Sequence, residues 1–249
     1  MFIPIGDEPN PSRPPVMTVA LIALNVAVTL VSLLVSTQPA DPADPLLAEY
    51  LRSMAPLLPP GISTAQAAHS VSVYDLVVFR YGFRPAAPSW VALFTHMFLH
   101  AGLLHLAGNM LYLWIFGNNV EARLGPLRFL FWYLVTGVAA VALHAVIDLH
   151  SPAPVVGASG AISGVLGFYL VWFPRNVIKV WVFLFPFYIG VVRISAPLML
   201  AVYLLLDNVL PLLFAPAEGG VAYGAHIGGF LAGGWWLPGS CAAGRSRSD

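Results

Sequence analysis

The sequence predicts an all-α membrane protein, and three observations carry that prediction. Of the 249 residues, 59% are hydrophobic and 9% are charged, whereas soluble domains carry about 25% charged residues. Mean hydropathy is +0.81. Apolar runs recur along the chain at lengths that can cross a hydrocarbon layer of ~30 Å. The formal net charge is zero, which argues against a nucleic-acid partner. The single cysteine, Cys241, allows neither an internal disulfide nor a zinc knuckle.

Residues 1–15, "MFIPIGDEPNPSRPP", form a short, acidic, proline-bearing segment. The run Val16–Val35 follows, 20 apolar residues without the basic flank and short core of a cleaved signal peptide. It is a retained first span. Residues 36–89 make a long loop rich in Pro and Ala, and its semi-apolar stretch "YDLVVFRYGFRP" is suited to the membrane interface. Further spans are expected at Trp90–Phe116, Phe129–Ile147, Val155–Phe173, Ile194–Phe214 and Val221–Leu237, within a membrane domain of residues 16–238. Residues 239–249 form a tail. Glu121 and Arg123, just past the second span, are expected to be a structural pair or cap.

The apolar segment Val177–Val192 would be a seventh span if it crossed. Positive residues favour the cytoplasmic side. Without that crossing, Arg13, Arg123, Arg128, Arg175, Lys179, Arg193, Arg245 and Arg247 lie inside and only Arg52, Arg80 and Arg84 outside; with it, the split becomes five to six. Pro186 also interrupts a straight helix. The expected topology is therefore six spans with both termini cytoplasmic and loop 36–89 extracytoplasmic.

This topology makes the fourth and sixth spans parallel. Ser159, in "VVGASGAISGVLG", and His226, in "AYGAHIGGFLAGG", then lie at matching depth. Gly157, Gly160, Gly164 and Gly167 on one helix, with Gly224, Gly228 and Ala232 or Ala225, Gly229 and Gly233 on the other, recur at the spacing that lets membrane helices meet backbone to backbone. Taken alone, the glycines and serines describe a packing face. An intramembrane histidine, however, marks a functional site by default. Serine attacks only with a neighbouring base to take its proton, and His226 is the only histidine in the last three spans. No acidic residue is evidently placed to orient it, so a Ser159–His226 dyad is expected. Asp207 and Asn208 read as boundary residues of the fifth span. On the second span His105 and Asn109 are four apart and share a face. Both can donate hydrogen bonds to a developing oxyanion. His96, His100 and His105 could alternatively be metal ligands, but no H-E-x-x-H or carboxylate cluster accompanies them.

These motifs resemble the rhomboid family of intramembrane serine proteases of bacterial type. The resemblance runs from "FIPIGDEPNPSR" nearly to the end and rests on His96, His100, His105 and Asn109, on "GASG" and on "AHIGG". It implies a rhomboid-like bundle of six transmembrane helices. Ser159 would be the nucleophile, His226 the base, and His105, Asn109 and the Ser159 amide the oxyanion donors. Gly157, Gly160 and His100 are expected to contact substrate. Substrates would be single-span membrane proteins met within the lipid bilayer, in a bacterial inner membrane, with no cofactor and no metal. A catalytically inactive, client-binding relative is the alternative, against which the chain retains both Ser159 and His226. Three departures are visible. No Arg follows Trp90, Ser163 stands where much-studied members have a tyrosine, and Asp207 stands where a glutamine is expected.

Overall fold

The computed structural model describes residues 2–214 and 221–235. The expected tail 239–249, with Cys241, Arg245 and Arg247, lies outside the described residues. Chain order is β1 (Phe2–Glu8), α1 (Val16–Val35), α2 (Pro45–Met54), α3 (Thr64–Ala68), α4 (Val73–Tyr81), α5 (Ala92–Thr95), α6 (Leu103–Leu124), α7 (Pro126–Ile147), α8 (Ser159–Trp172), β2 (Val177–Leu184), β3 (Tyr188–Ser195), α9 (Ala196–Leu204), α10 (Leu210–Phe214) and α11 (Tyr223–Gly234). A π-helical turn, Leu205–Val209, joins α9 to α10. The protein is mostly helical. Among the described residues, α1, α7 and the run Ala196–Phe214 are long and apolar enough to cross a membrane, and the bent pair α5–α6 makes a fourth.

The long loop is itself largely helical. Asp44 caps α2, and Ser63 and Ser72 close capping boxes with Gln66 and Asp75. Each supplies an acceptor to backbone N–H groups that a helix start leaves unpaired.

One segment expected not to cross takes a form the sequence did not specify, and one expected span is broken. Val177–Val192 is a β-hairpin, and β1 pairs with its first strand to give an antiparallel sheet of order β1-β2-β3. Its β-branched and aromatic residues suit strands, and Pro186 sits in the turn between β2 and β3 rather than inside an element. The expected helix Trp90–Phe116 is broken: after α5 and a 3₁₀ turn at His96–Phe98 the backbone is extended at Leu99 and Gly102, and α6 leaves at 95°. His96 and His100 therefore precede α6, and only His105 and Asn109 lie on it.

Polar contacts fix the end of the bundle where α6 and α8 finish. The buried Asp7 carboxylate accepts hydrogen bonds from Tyr169 Oη at 2.5 Å and Asn119 Nδ2 at 2.7 Å. Glu8 pairs with Lys179 and Arg193 across the sheet, and these partners hold its carboxyl below the usual range. Glu121 accepts from the N–H groups of Met17 and Thr18 at 2.8 and 2.7 Å and from Thr18 Oγ1 at 2.8 Å. It thus caps α1, whose own preceding residue is a proline with no side-chain cap. Arg123 stacks over Trp172 instead of pairing with Glu121.

Helix α8 is the hub. A helix of its 14 residues is about 21 Å long, too short to span the membrane alone. Its first residue, Ser159, is reached by an irregular segment. Such backbone is tolerated at depth where protein buries it or a cavity hydrates it.

Candidate active site

Glycines set the approach of α8 to its neighbours. A Cβ added at Gly229 would stand 1.9 Å from the carbonyl oxygen of Gly160, and one at Gly233 2.0 Å from that of Gly164. On the other side, a Cβ at Gly164 would lie 2.3 Å from Thr136 on α7, and one at Gly160 2.7 Å from Ala140. The α8–α11 contact is thus backbone against backbone. Gly224 and Gly228 face α7 rather than α8.

This closeness delivers His226 to Ser159. His226 Nε2 lies 2.8 Å from Ser159 Oγ. The other ring nitrogen, Nδ1, lies 2.7 Å from Asn208 Oδ1, while Asn208 Nδ2 donates to the carbonyl of Tyr203 at 2.7 Å. That second bond orients the amide. With Nδ2 occupied as donor, the oxygen faces the imidazole and accepts from Nδ1–H. Nε2 is then the unprotonated nitrogen, ready to accept from the serine hydroxyl.

Sequence reasoning missed Asn208. It is 1% exposed, not a boundary residue, and the π turn that contains it explains why. An i→i+5 turn carries one extra residue and shifts the facing of side chains around it. No periodicity in an apolar run announces that shift. Sequence reasoning looked for an acid, whereas the partner is a neutral amide. Its neighbour Asp207 lines the cavity beside it. Ser163 donates to the Ser159 carbonyl at 2.8 Å and meets Tyr203 Oη at 2.6 Å. The tyrosine beside this turn of α8 therefore comes from α9.

The pair faces a cavity of about 880 Å³. His105 and Asn109 line it from α6, and Gly157 and Gly160 from the start of α8. Asn109 is 8% exposed, and its Nδ2 has no hydrogen-bond partner among the described residues. The His105 Nδ1 accepts weakly from the Ala101 N–H at 3.4 Å, which leaves Nε2 to carry the proton. Gly157 has φ +125°, and a Cβ there would strike the His105 ring at 2.7–2.8 Å. Glycine is required on both counts. The Gly157 N–H donates to the His96 carbonyl at 2.9 Å, so His96 anchors the turn before Ser159 through its backbone.

His100 does not line the cavity, contrary to its expected substrate contact. It is buried behind His105, ring edge against ring at 5.2 Å, with Nδ1 3.4 Å from Thr29 Oγ1. Among the described residues, no three His, Cys, Asp or Glu side chains stand close enough to share an ion.

The Rhomboid domain profile matches residues 87–241. The chain belongs to the rhomboid family. It is 45% identical over 82 residues to the rhomboid protease GluP of Bacillus subtilis, covering 33% of this chain and 16% of that protein. It is 32% identical over 219 residues to the RHOMBOID-like protein 4 of Arabidopsis thaliana, covering 85% of this chain and 49% of the relative. The mitochondrial Rhomboid protein 1 of Saccharomyces cerevisiae is 30% identical over 156 residues, covering 60% of this chain and 42% of that protein. The chain thus spans half or less of each of these relatives. The rhomboid domain and the apolar helices make this a multi-pass membrane protein of an intramembrane serine protease family.

Proposed function

We propose that this rhomboid is an active intramembrane serine endopeptidase that cleaves single-span membrane proteins in or near their spanning segments. The observation that carries the reading is the 2.8 Å contact of Ser159 Oγ with His226 Nε2 on a cavity that Asn109 also lines, its buried Nδ2 without a partner among the described residues. Residues 16–238 would form a six-helix membrane domain in a bacterial inner membrane. Residues 1–15 and 239–249 would be cytoplasmic, and loop 36–89 extracytoplasmic.

Ser159 Oγ attacks the scissile carbonyl as Nε2 of His226 takes its proton. Nδ1–H stays bonded to Asn208, which fixes the ring plane and the tautomer as the imidazolium forms. An asparagine fills this position in papain-like proteases. The carbonyl oxygen becomes an oxyanion and is met by Asn109 Nδ2, His105 Nε2–H and the N–H of Ser159 at an unsatisfied helix start. His226 then protonates the leaving amine. A water activated by the same Nε2 hydrolyses the acyl-enzyme and regenerates Ser159. Gly157, where a Cβ would strike the His105 ring, keeps that wall clear for an extended substrate backbone, and Gly160 lines it through its backbone. The substrate helix must fray first, because its carbonyls are already bonded within the helix.

The test is cleavage of a single-span reporter by purified protein in liposomes, beside Ser159→Ala, His226→Ala and a chelator. Cleavage lost in both variants and retained with chelator supports the reading. Cleavage that persists in Ser159→Ala overturns it, and a folded wild type that binds but never cleaves a panel of reporters favours the client-binding alternative.

A further inference from the structure

The β2–β3 hairpin ends in an apolar tip that the catalytic reading leaves unused. Phe183, Leu184, Phe185, Pro186, Phe187, Tyr188 and Ile189 are consecutive and all exposed, with Phe185 at 73% and Phe187 at 90%. No charged residue lies between Lys179 and Arg193. On a surface facing water such a contiguous patch marks a binding site.

The attachment of the sheet decides what the tip meets. Asp7 of β1 is bonded to Asn119 near the end of α6 and to Tyr169 near the end of α8. The sheet therefore sits at the end of the bundle opposite Ser159 and His105, which begin those helices. Ile178, Val180 and Val182 form its inner face and belong to the main core with Phe116 and Val120. Because burial continues along β2 as far as Val182 and stops at Phe183, the sheet runs across the helix ends and overhangs the bundle only with its tip. Beyond the edge of a membrane-protein bundle, at that level, lies lipid. The outer face agrees with this placement. It is charged at the base, where Glu8 holds Lys179 and Arg193. Towards the tip it becomes apolar and aromatic, through the paired residues Trp181 and Val191, then Phe183 and Ile189.

We propose that the tip Phe183–Ile189 is a lipid-interface anchor, seated at the headgroup–acyl boundary of the leaflet on the sheet side of the protein. Aromatic residues favour that boundary because one end of the environment is apolar and the other wet. Through β1 and β2 the anchor is tied to the ends of α6 and α8, the helices that carry the candidate oxyanion donors and nucleophile. This inference rests on the chain's being a membrane protein and does not require proteolysis.

The test uses the single cysteine. In a Cys241→Ser background, a nitroxide is placed at Phe187→Cys, Phe185→Cys or, as an aqueous reference, Ala65→Cys on exposed α3. The protein is reconstituted in phosphatidylethanolamine–phosphatidylglycerol liposomes, and collisions with oxygen and with a neutral nickel chelate are measured by power saturation. The anchor predicts raised oxygen access at both tip positions and nickel access several-fold below that at the reference. Nickel access equal to the reference places the tip in water and overturns the proposal. Spin–spin broadening that disappears on dilution with unlabelled protein would also overturn it, because the tip would then meet a second copy of the chain.

Discussion

Replacing Asn208 by Ala removes the acceptor that faces His226 Nδ1 at 2.7 Å. At 1% exposure the site admits no ready substitute from solvent. The ring then either leaves Nδ1–H unpaired, at a cost of ~1–3 kcal/mol, or moves its proton to Nε2, where it can no longer accept from Ser159. The imidazolium of the transition state needs the Nδ1 bond in either case. At about 1.36 kcal/mol per tenfold, a central cost of ~2 kcal/mol corresponds to a roughly 30-fold loss in kcat. KM should stay within about twofold, because Asn208 orients the base and does not itself bind substrate. Asn208→Asp keeps an oxygen facing Nδ1 and should lose less than Asn208→Ala. The assay is steady-state cleavage of a single-span reporter at several mole fractions in liposomes, with the thermal unfolding midpoint of each variant measured in parallel. If Asn208→Ala, folded like wild type, kept kcat within about threefold, the amide would not hold the base and the tautomer argument would fail.

Three further outcomes follow from the same geometry. Asn109→Ala should lower kcat by ~100-fold or more while leaving the unfolding midpoint unchanged or raised, since its Nδ2 has no partner to lose; a proportional loss of stability would assign it a structural role instead. Gly229→Ala would drive a methyl to 1.9 Å from the Gly160 carbonyl and should destabilise by ~1–3 kcal/mol or more, with cleavage falling alongside the unfolding midpoint; a fully active, equally stable variant would contradict the close approach. Burial raises the Asp7 carboxyl above its ordinary value of 3.8, against hydrogen bonds from Tyr169, Asn176 and Asn119. The stability this gives is full below 3.8 and fades as pH rises through the higher folded value, so the unfolding midpoint of Asp7→Asn should gain on wild type as pH rises through that window, and a variant that loses ground to wild type there would be the wrong sign.

Much of this arrangement was legible in the chain, and what was hidden had physical reasons. Glycines at helical spacing announced the α8–α11 contact because close backbone packing admits few other residues. Ser159 and His226 stood out because hydroxyl and imidazole are uncommon in apolar runs. The charge balance argued against a helical crossing by Val177–Val192, but the sheet depends on β1, which pairs with β2 from about 170 to 180 positions away and carries no local signal of its partner. The break before α6 was obscured because residues 90–116 are mostly apolar and read as one run despite their histidines and glycines. Asn208 was hidden twice, by a π turn that no periodicity reveals and by its neutrality, since the search for a third residue was a search for charge.

That neutrality is itself suited to the site. A carboxylate at position 208 would have to be desolvated beside a neutral imidazole in a span that already buries polar groups, and an isolated buried ion is costly until its partner becomes charged. The amide avoids this resting-state cost. Its nitrogen is satisfied by the Tyr203 carbonyl and its oxygen by His226, with no charge to neutralise. The expected consequence is a weaker but permanently assembled base, held in its productive tautomer before any substrate arrives. Depth then complements orientation. Because α8 starts at Ser159, the helix itself supplies unpaired N–H groups where the proposed reaction would form its oxyanion. In the proposed reaction, the 14-residue length of that helix would let a peptide bond, once frayed from its own helix, meet donors within the bundle rather than at its outer edge.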